Sequence, residues 1–142
     1  MAIRTKEKNF VKYLEKHFGM ALPKNTAVFY ARGVRAGNRK IRNSKIHGEL
    51  GYAACDAGFN PTNSFIQNFG HLAKKNIVRL DREEGLLFAS GSGLAMDLGT
   101  KSKYVVIMMK QHVLGLGYYD SGKRVVVNKI PGKRTRRIVN EI

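Results

Sequence analysis

Ile77-Val-Arg-Leu-Asp-Arg-Glu-Glu-Gly-Leu-Leu-Phe-Ala89 is the segment on which the architecture turns. Two apolar stretches, 77–80 and 86–89, flank a polar stretch ending in Gly85, an arrangement that predicts a β-hairpin. Just upstream, Asn60-Pro61 predicts a helix start, because asparagine caps well and proline suits the first helical position. Phe65, Ile66, Phe69, Leu72 and Ala73 then recur at the spacing of one helical face over 61–75. Thr62, Asn63, Ser64, Gln67, Asn68, His71, Lys74 and Lys75 take the outward positions.

Working back toward the N-terminus, Phe10, Leu14 and Phe18 repeat every four residues, with Val11 alongside, and predict a helix over 5–18 that Gly19 stops. Pro23 breaks the chain, and Thr26-Ala-Val-Phe-Tyr30 reads as a short strand. Ile46, Leu50, Ala53, Ala54 and Ala57 predict a further helix over 44–57, ended by Gly58. Gly48 and Gly51 each weaken that helix by up to about 1 kcal/mol.

Three helices, the last two joined by the short Gly58-Phe-Asn60 turn and followed by a two-stranded wing, resemble the winged helix-turn-helix superfamily over about residues 5–90. Relative to that pattern, residues 31–45 read as a basic insertion between the first two helices. The resemblance implies an α+β chain with a three-helix winged-helix-like core over 1–98. It also implies that 61–75 is the recognition helix, with Asn63, Ser64, Gln67, Asn68 and His71 facing bases.

Beyond the wing, Leu72–Leu80 parallels Met108–Leu116 at a constant offset of 36, which suggests a partial repeat. On that reading Thr100 caps a helix running to about His112, although Tyr104-Val-Val-Ile-Met-Met109 reads equally well as a buried strand. Val113–Tyr119 and Lys123–Val127 predict a second β-hairpin around Asp120-Ser-Gly122. Residues 99–128 then pack as a helix or strand plus hairpin, and 129–142 form a basic tail.

Charge indicates the function class. Twenty-six Lys and Arg stand against ten Asp and Glu, a formal net charge of +16 with a sequence pI near 10.3. The excess is lopsided: residues 1–48 carry +10, residues 49–100 carry −2 and residues 101–142 carry +8. Such a balance favours an anionic partner, most commonly nucleic acid. Two runs lack any acid: 31–45, with Arg32, Arg35, Arg39, Lys40, Arg42 and Lys45, and 129–137, with Lys129, Lys133, Arg134, Arg136 and Arg137. Guanidinium forks match phosphate oxygens, so these runs, together with Lys74, Lys75, Arg79 and Arg82, are the expected phosphate contacts.

Other classes find little support. At 43% hydrophobic the chain has a core to bury. Cys55, the single cysteine, excludes an internal disulfide and a multi-cysteine zinc module. His17, His47, His71 and His112 share no ligand spacing, so neither metal nor cofactor is expected. Asp81, Glu83 and Glu84 read as an acidic turn rather than a nuclease cluster. No apolar run approaches the roughly 18 residues of a membrane span, and the N-terminus lacks a signal's apolar stretch, so an intracellular location is expected. Of Tyr118 and Tyr119, strand alternation sends one outward, where a base could stack, and one into the core.

The expectation is therefore a non-enzymatic DNA-binding accessory factor in transcription or replication, with duplex DNA as partner and room for a homodimer. The alternative is a structural RNA-binding protein of ribosomal type, whose basic extensions surround a neutral centre.

Overall fold

The computed structural model describes residues 2–24, 26–30, 34–38, 52–55, 60–91 and 93–130. The chain forms two compact units, Met1–Lys75 and Asn76–Ile142.

In the first unit, α1 (Ala2–Tyr13) runs into a wider π-type turn, Leu14–Phe18. Phe10, Leu14 and Phe18 are fully buried, as their four-residue spacing requires. Gly19 ends the helix in the left-handed conformation (φ 62°), and its amide bonds back to Glu15 O at 3.0 Å. A three-stranded antiparallel sheet follows in the order β1 (Thr26–Tyr30), β2 (Val34–Asn38), β3 (Tyr52–Ala53), with α1 packed on β1 and β2. The second helix, α2, spans Asn63–Phe69 and continues as a 3-10 turn, Gly70–Leu72. Phe65 meets Phe10 edge to face at 5.3 Å and Phe69 at 5.0 Å, which ties α2 to α1.

Two expectations change here. Residues 52–55 are not helical: β3 pairs with β2, and Cys55 bridges Pro61. The rest of the expected 44–57 helix lies outside the described residues. The N-cap of α2 is Thr62 rather than Asn60, its hydroxyl accepting from Phe65 N at 3.1 Å. Pro61 is thus held by the bridge to Cys55 instead of opening the helix.

The second unit overturns the winged-helix fold. Its basis is a curled, five-stranded mixed sheet in the order β4-β6-β7-β8-β5, not a three-helix core. Ile77–Leu80 forms β4, but Arg82–Ala89 is helix α3 rather than the second strand of a wing. A reciprocal capping box starts it: Asp81 Oδ1 accepts from Glu84 N at 2.8 Å, and Glu84 Oε1 accepts from Asp81 N at 3.0 Å. Residues 81–102 form the crossover that lets β4 pair in parallel with β6 (Lys103–Met109), a pairing that no hairpin turn can make.

Of the two readings of 104–109 the buried strand is the one present, since 103–109 is strand, so this segment does not form the helix of a second helix-plus-wing unit. Strand β6 turns at Lys110-Gln111 into β7 (His112–Asp120), and β7 pairs with β8 (Val125–Asn128), the second hairpin that the sequence predicts. The short β5 (Leu94–Ala95) closes the far edge against β8. Phe88, Val105, Ile107, Leu114, Tyr119, Val126 and Ile130 belong to the unit's buried core, so ordered packing continues through Ile130.

Close packing makes Gly117 specific. A Cβ there would lie 2.6 Å from Ile107 Cδ1 and 2.8 Å from Cγ1. Gly117→Ala should therefore destabilise the fold by about 1–3 kcal/mol through overpacking, read as a lowered midpoint in urea. Asp81→Ala, which removes the α3 cap, should cost about 0.5–2 kcal/mol in the same assay. Unchanged midpoints would mean that neither constraint matters.

Candidate nucleic-acid interface

Most of the described carboxylates are engaged by the protein's own polar groups. Side chains of six acids are described: Glu15, Asp81, Glu83, Glu84, Asp97 and Asp120. Four of these bind the protein's own polar groups. Asp81 and Glu84 form the α3 capping box. Asp120 Oδ1 accepts from the Gly122 and Lys123 amides at 3.0 and 3.2 Å, shaping the β7–β8 turn. Asp97 Oδ1 accepts from Gly99 N at 2.9 Å and from the Tyr119 hydroxyl at 3.2 Å, while its Oδ2 lies 3.8 Å from Arg124 Nε. These four acids serve turns and caps, and Asp97 in addition faces Arg124.

The cations, by contrast, face solvent. Lys8, Lys12 and Lys16 are exposed along the first helical stretch, and Lys74 and Lys75 are exposed after α2. In the second unit Arg79, Arg82, Lys101, Lys110, Lys123, Arg124 and Lys129 are exposed. Lys75 also closes the end of the first helical stretch, where Nζ donates to Lys16 O at 3.0 Å.

Expected phosphate contacts divide accordingly. Lys74, Lys75, Arg79 and Arg82 are exposed, and Arg35 is half-buried on β2. Arg32, Arg39, Lys40, Arg42, Lys45, Lys133, Arg134, Arg136 and Arg137 lie outside the described residues.

The expected base contacts do not form one outward row. Asn63 is buried, with 7% of its surface exposed. Ser64 and Gln67 are half-buried. Asn68 is exposed, but its Nδ2 donates to Ser64 O at 2.8 Å within the same helix. Of the five, His71 and Asn68 are exposed, and His71 sits in the 3-10 turn after α2. The helix spans seven residues rather than the full 61–75.

The strand reading of 104–109 brings a further pair together. Tyr104 and Tyr118 stand directly opposite on β6 and β7, and their rings meet at 4.9 Å. The clue is the β-branched and aromatic content of 104–107, which favours strand.

His17 stacks on the Tyr13 ring at 5.1 Å and is a packing residue. Among the described residues no three His, Cys, Asp or Glu side chains gather as metal ligands. Nor is any helix among them long and apolar enough to cross a membrane.

No protein-family model and no curated protein sequence matches the chain.

The Asp97 carboxyl is held below the ordinary aspartate value of 3.8, chiefly by the Gly99 amide, then by the Tyr119 hydroxyl, with Arg124 adding attraction and burial opposing them. A depressed folded-state value means the contribution to stability is complete above the ordinary aspartate range and is lost as pH falls through the folded value. Carboxyl NMR should place Asp97 below 3.8, and Tyr119→Phe should move it upward. An unmoved titration in that variant would show that the hydroxyl contributes nothing.

Proposed function

We propose that this chain is a non-enzymatic nucleic-acid-binding protein, held to the polyanion by charge. The observation that carries the reading is the division of labour between its charges. Four of the six described acids are occupied by turns and caps, whereas at least a dozen lysines and arginines face solvent in addition to the acid-free runs 31–45 and 129–137.

RNA is the target that this geometry favours over duplex DNA. The preference for duplex DNA depended on a recognition helix with an outward row of amides. Helix α2 has seven residues, Asn63 is buried and Asn68 is engaged within the helix, so a groove-reading face is not available there. RNA is gripped through its shape, its backbone and its unpaired bases, which exposed cations and loops can serve without such a helix.

Replacing Lys133, Arg134, Arg136 and Arg137 together with glutamine, in the full-length chain, tests the electrostatic part. Affinity for RNA should drop, and the slope of log K against log salt should shrink by up to about 3, at roughly 0.7 per lost contact on single strands. Competition supplies the second arm: unlabelled single-stranded RNA should displace a bound RNA more effectively than duplex DNA of equal length. An unchanged slope removes the tail from the interface, and better competition by duplex DNA reverses the choice of target.

A further inference from the structure

One interval sets both sides of the first helical stretch. Phe10, Leu14 and Phe18 are fully buried. Lys8, Lys12 and Lys16 each precede one of them by two residues, about 200° around the helix, and all three are exposed. The lysines therefore stand opposite the anchored side, spaced about 6 Å apart along the axis. A step of four residues overshoots a full α-helical turn. The wider π-type turn at Leu14–Phe18 takes more residues per revolution, which swings Lys16 back toward the line of Lys8 and Lys12.

Two lysines distant in sequence are fixed at the end of this line. The amides of Lys74 and Lys75 both donate to Phe18 O, at 2.7 and 3.1 Å, and Lys75 Nζ donates to Lys16 O at 3.0 Å. Gly19 leaves room for this approach, since a Cβ there would lie 3.2 Å from Lys74 Cβ and 3.3 Å from Lys75 Cγ. Both lysines are exposed. Among the described residues none of these five lysines makes an ion pair, and Glu15 is the only acid on this helical stretch whose side chain is described.

We propose that Lys8, Lys12, Lys16, Lys74 and Lys75 form a track for the phosphodiester backbone of one RNA strand. The proposal rests on the nucleic-acid reading above and deepens it by placing a grip on one helix face and making it indifferent to bases. Three features argue for that occupant. The interval of about 6 Å is close to the step between successive phosphates of a strand, so consecutive ammonium groups can meet consecutive phosphates. Like charges four residues apart on a helix repel one another, and an anion laid along them removes that repulsion. A lysine ammonium is a point charge on a flexible stem, which holds a phosphate without reading a base. A lipid surface suits this face less well, because the apolar side of the helix is buried within the unit and has nothing to insert.

Replacing Lys8, Lys12 and Lys16 together with glutamine, in the full-length chain, keeps helix propensity and leaves the buried side untouched. For a single-stranded oligouridylate, the slope of log K against log salt should shrink by about 2, at roughly 0.7 per lost contact. The same change of charge at the exposed Lys101, Lys110 and Lys123 should shrink it by less than about 0.7. Glu15→Gln, which removes a negative charge beside the track, should strengthen binding by about twofold. Inorganic polyphosphate should displace the oligouridylate, since phosphates are what the track holds. Circular dichroism melts of each variant show whether the fold is intact, and Glu15→Gln reads the track even if the triple variant is unstable. Equal losses in the two triple variants, no gain from Glu15→Gln, or a failure of polyphosphate to compete would each overturn the track while the electrostatic reading stands. If the natural chain does not bind oligouridylate at low salt, both readings fall.

Discussion

Strand β6 is apolar on both faces, and that single constraint organises the second unit. Val105, Val106, Ile107, Met108 and Met109 are all buried, so neither side of the strand can be left to water. A strand of this kind belongs in the interior of a sheet, with partners along both edges. Here β4 supplies one edge in parallel and β7 the other in antiparallel fashion. The parallel partner in turn demands a crossover, and α3 is what the chain places there. Phe88 carries α3 into the core, and Asn128 holds the helix's last turn by donating from Nδ2 to Phe88 O at 2.9 Å. The same side chain accepts from Ile130 N at 2.7 Å, turning the chain end back onto the core.

Placing acids at caps and turns has an electrostatic consequence. A carboxylate that accepts backbone amides keeps its negative charge but is fixed at a helix start or a tight turn, where few cations can reach it. The capping box at Asp81 and the Asp120 turn are of this kind. The net charge of +16 is independent of what the acids contact; their placement decides only where the negative charge sits within the positive field. Surface ion pairs would add little stability in exchange, so the fold loses little by this arrangement.

Local signals carried part of this structure. The four-residue spacing of Phe10, Leu14 and Phe18, the stop at Gly19, the strand 26–30 and the hairpin around 120–122 all follow from short-range chemistry, and each is present. The segment that decides the fold also held the needed clue, because Asp81-Arg-Glu-Glu84 has the acid-x-x-Glu pattern of a capping box. It reads as a hairpin because a polar stretch between two apolar ones looks the same in either case, and because Leu86 and Leu87 mimic a strand although both are exposed. The partner of β4 lies beyond residue 100, a non-local choice that no window around 77–89 contains. An unbroken apolar run such as 104–109 has no period, so helix and buried strand cannot be separated by pattern alone. Among the candidate site residues, the alternation of Tyr118 and Tyr119 was legible from the period of two. The burial of Asn63 was not, because an amide side chain at the margin of an apolar stripe reads as an outward position.

Helix α2 begins later than Asn60-Pro61 implies, but position 63 keeps its place three residues before Ile66, on the same side of the helix. With Thr62 as the cap, position 63 becomes the first helical residue and lies buried beside Phe65 and Ile66 in the sequence of the packed face. The bridge between Cys55 and Pro61 is the physical cause of the later start, since it holds residue 61 in an extended ladder and postpones the helix past it. A groove reader needs its first helical turn free, and this chain commits that turn to its core. The strand pair β6–β7 shares its aromatic residues in a similar way: it buries Tyr119 fully and Tyr118 by half, so both rings serve the packing of the sheet.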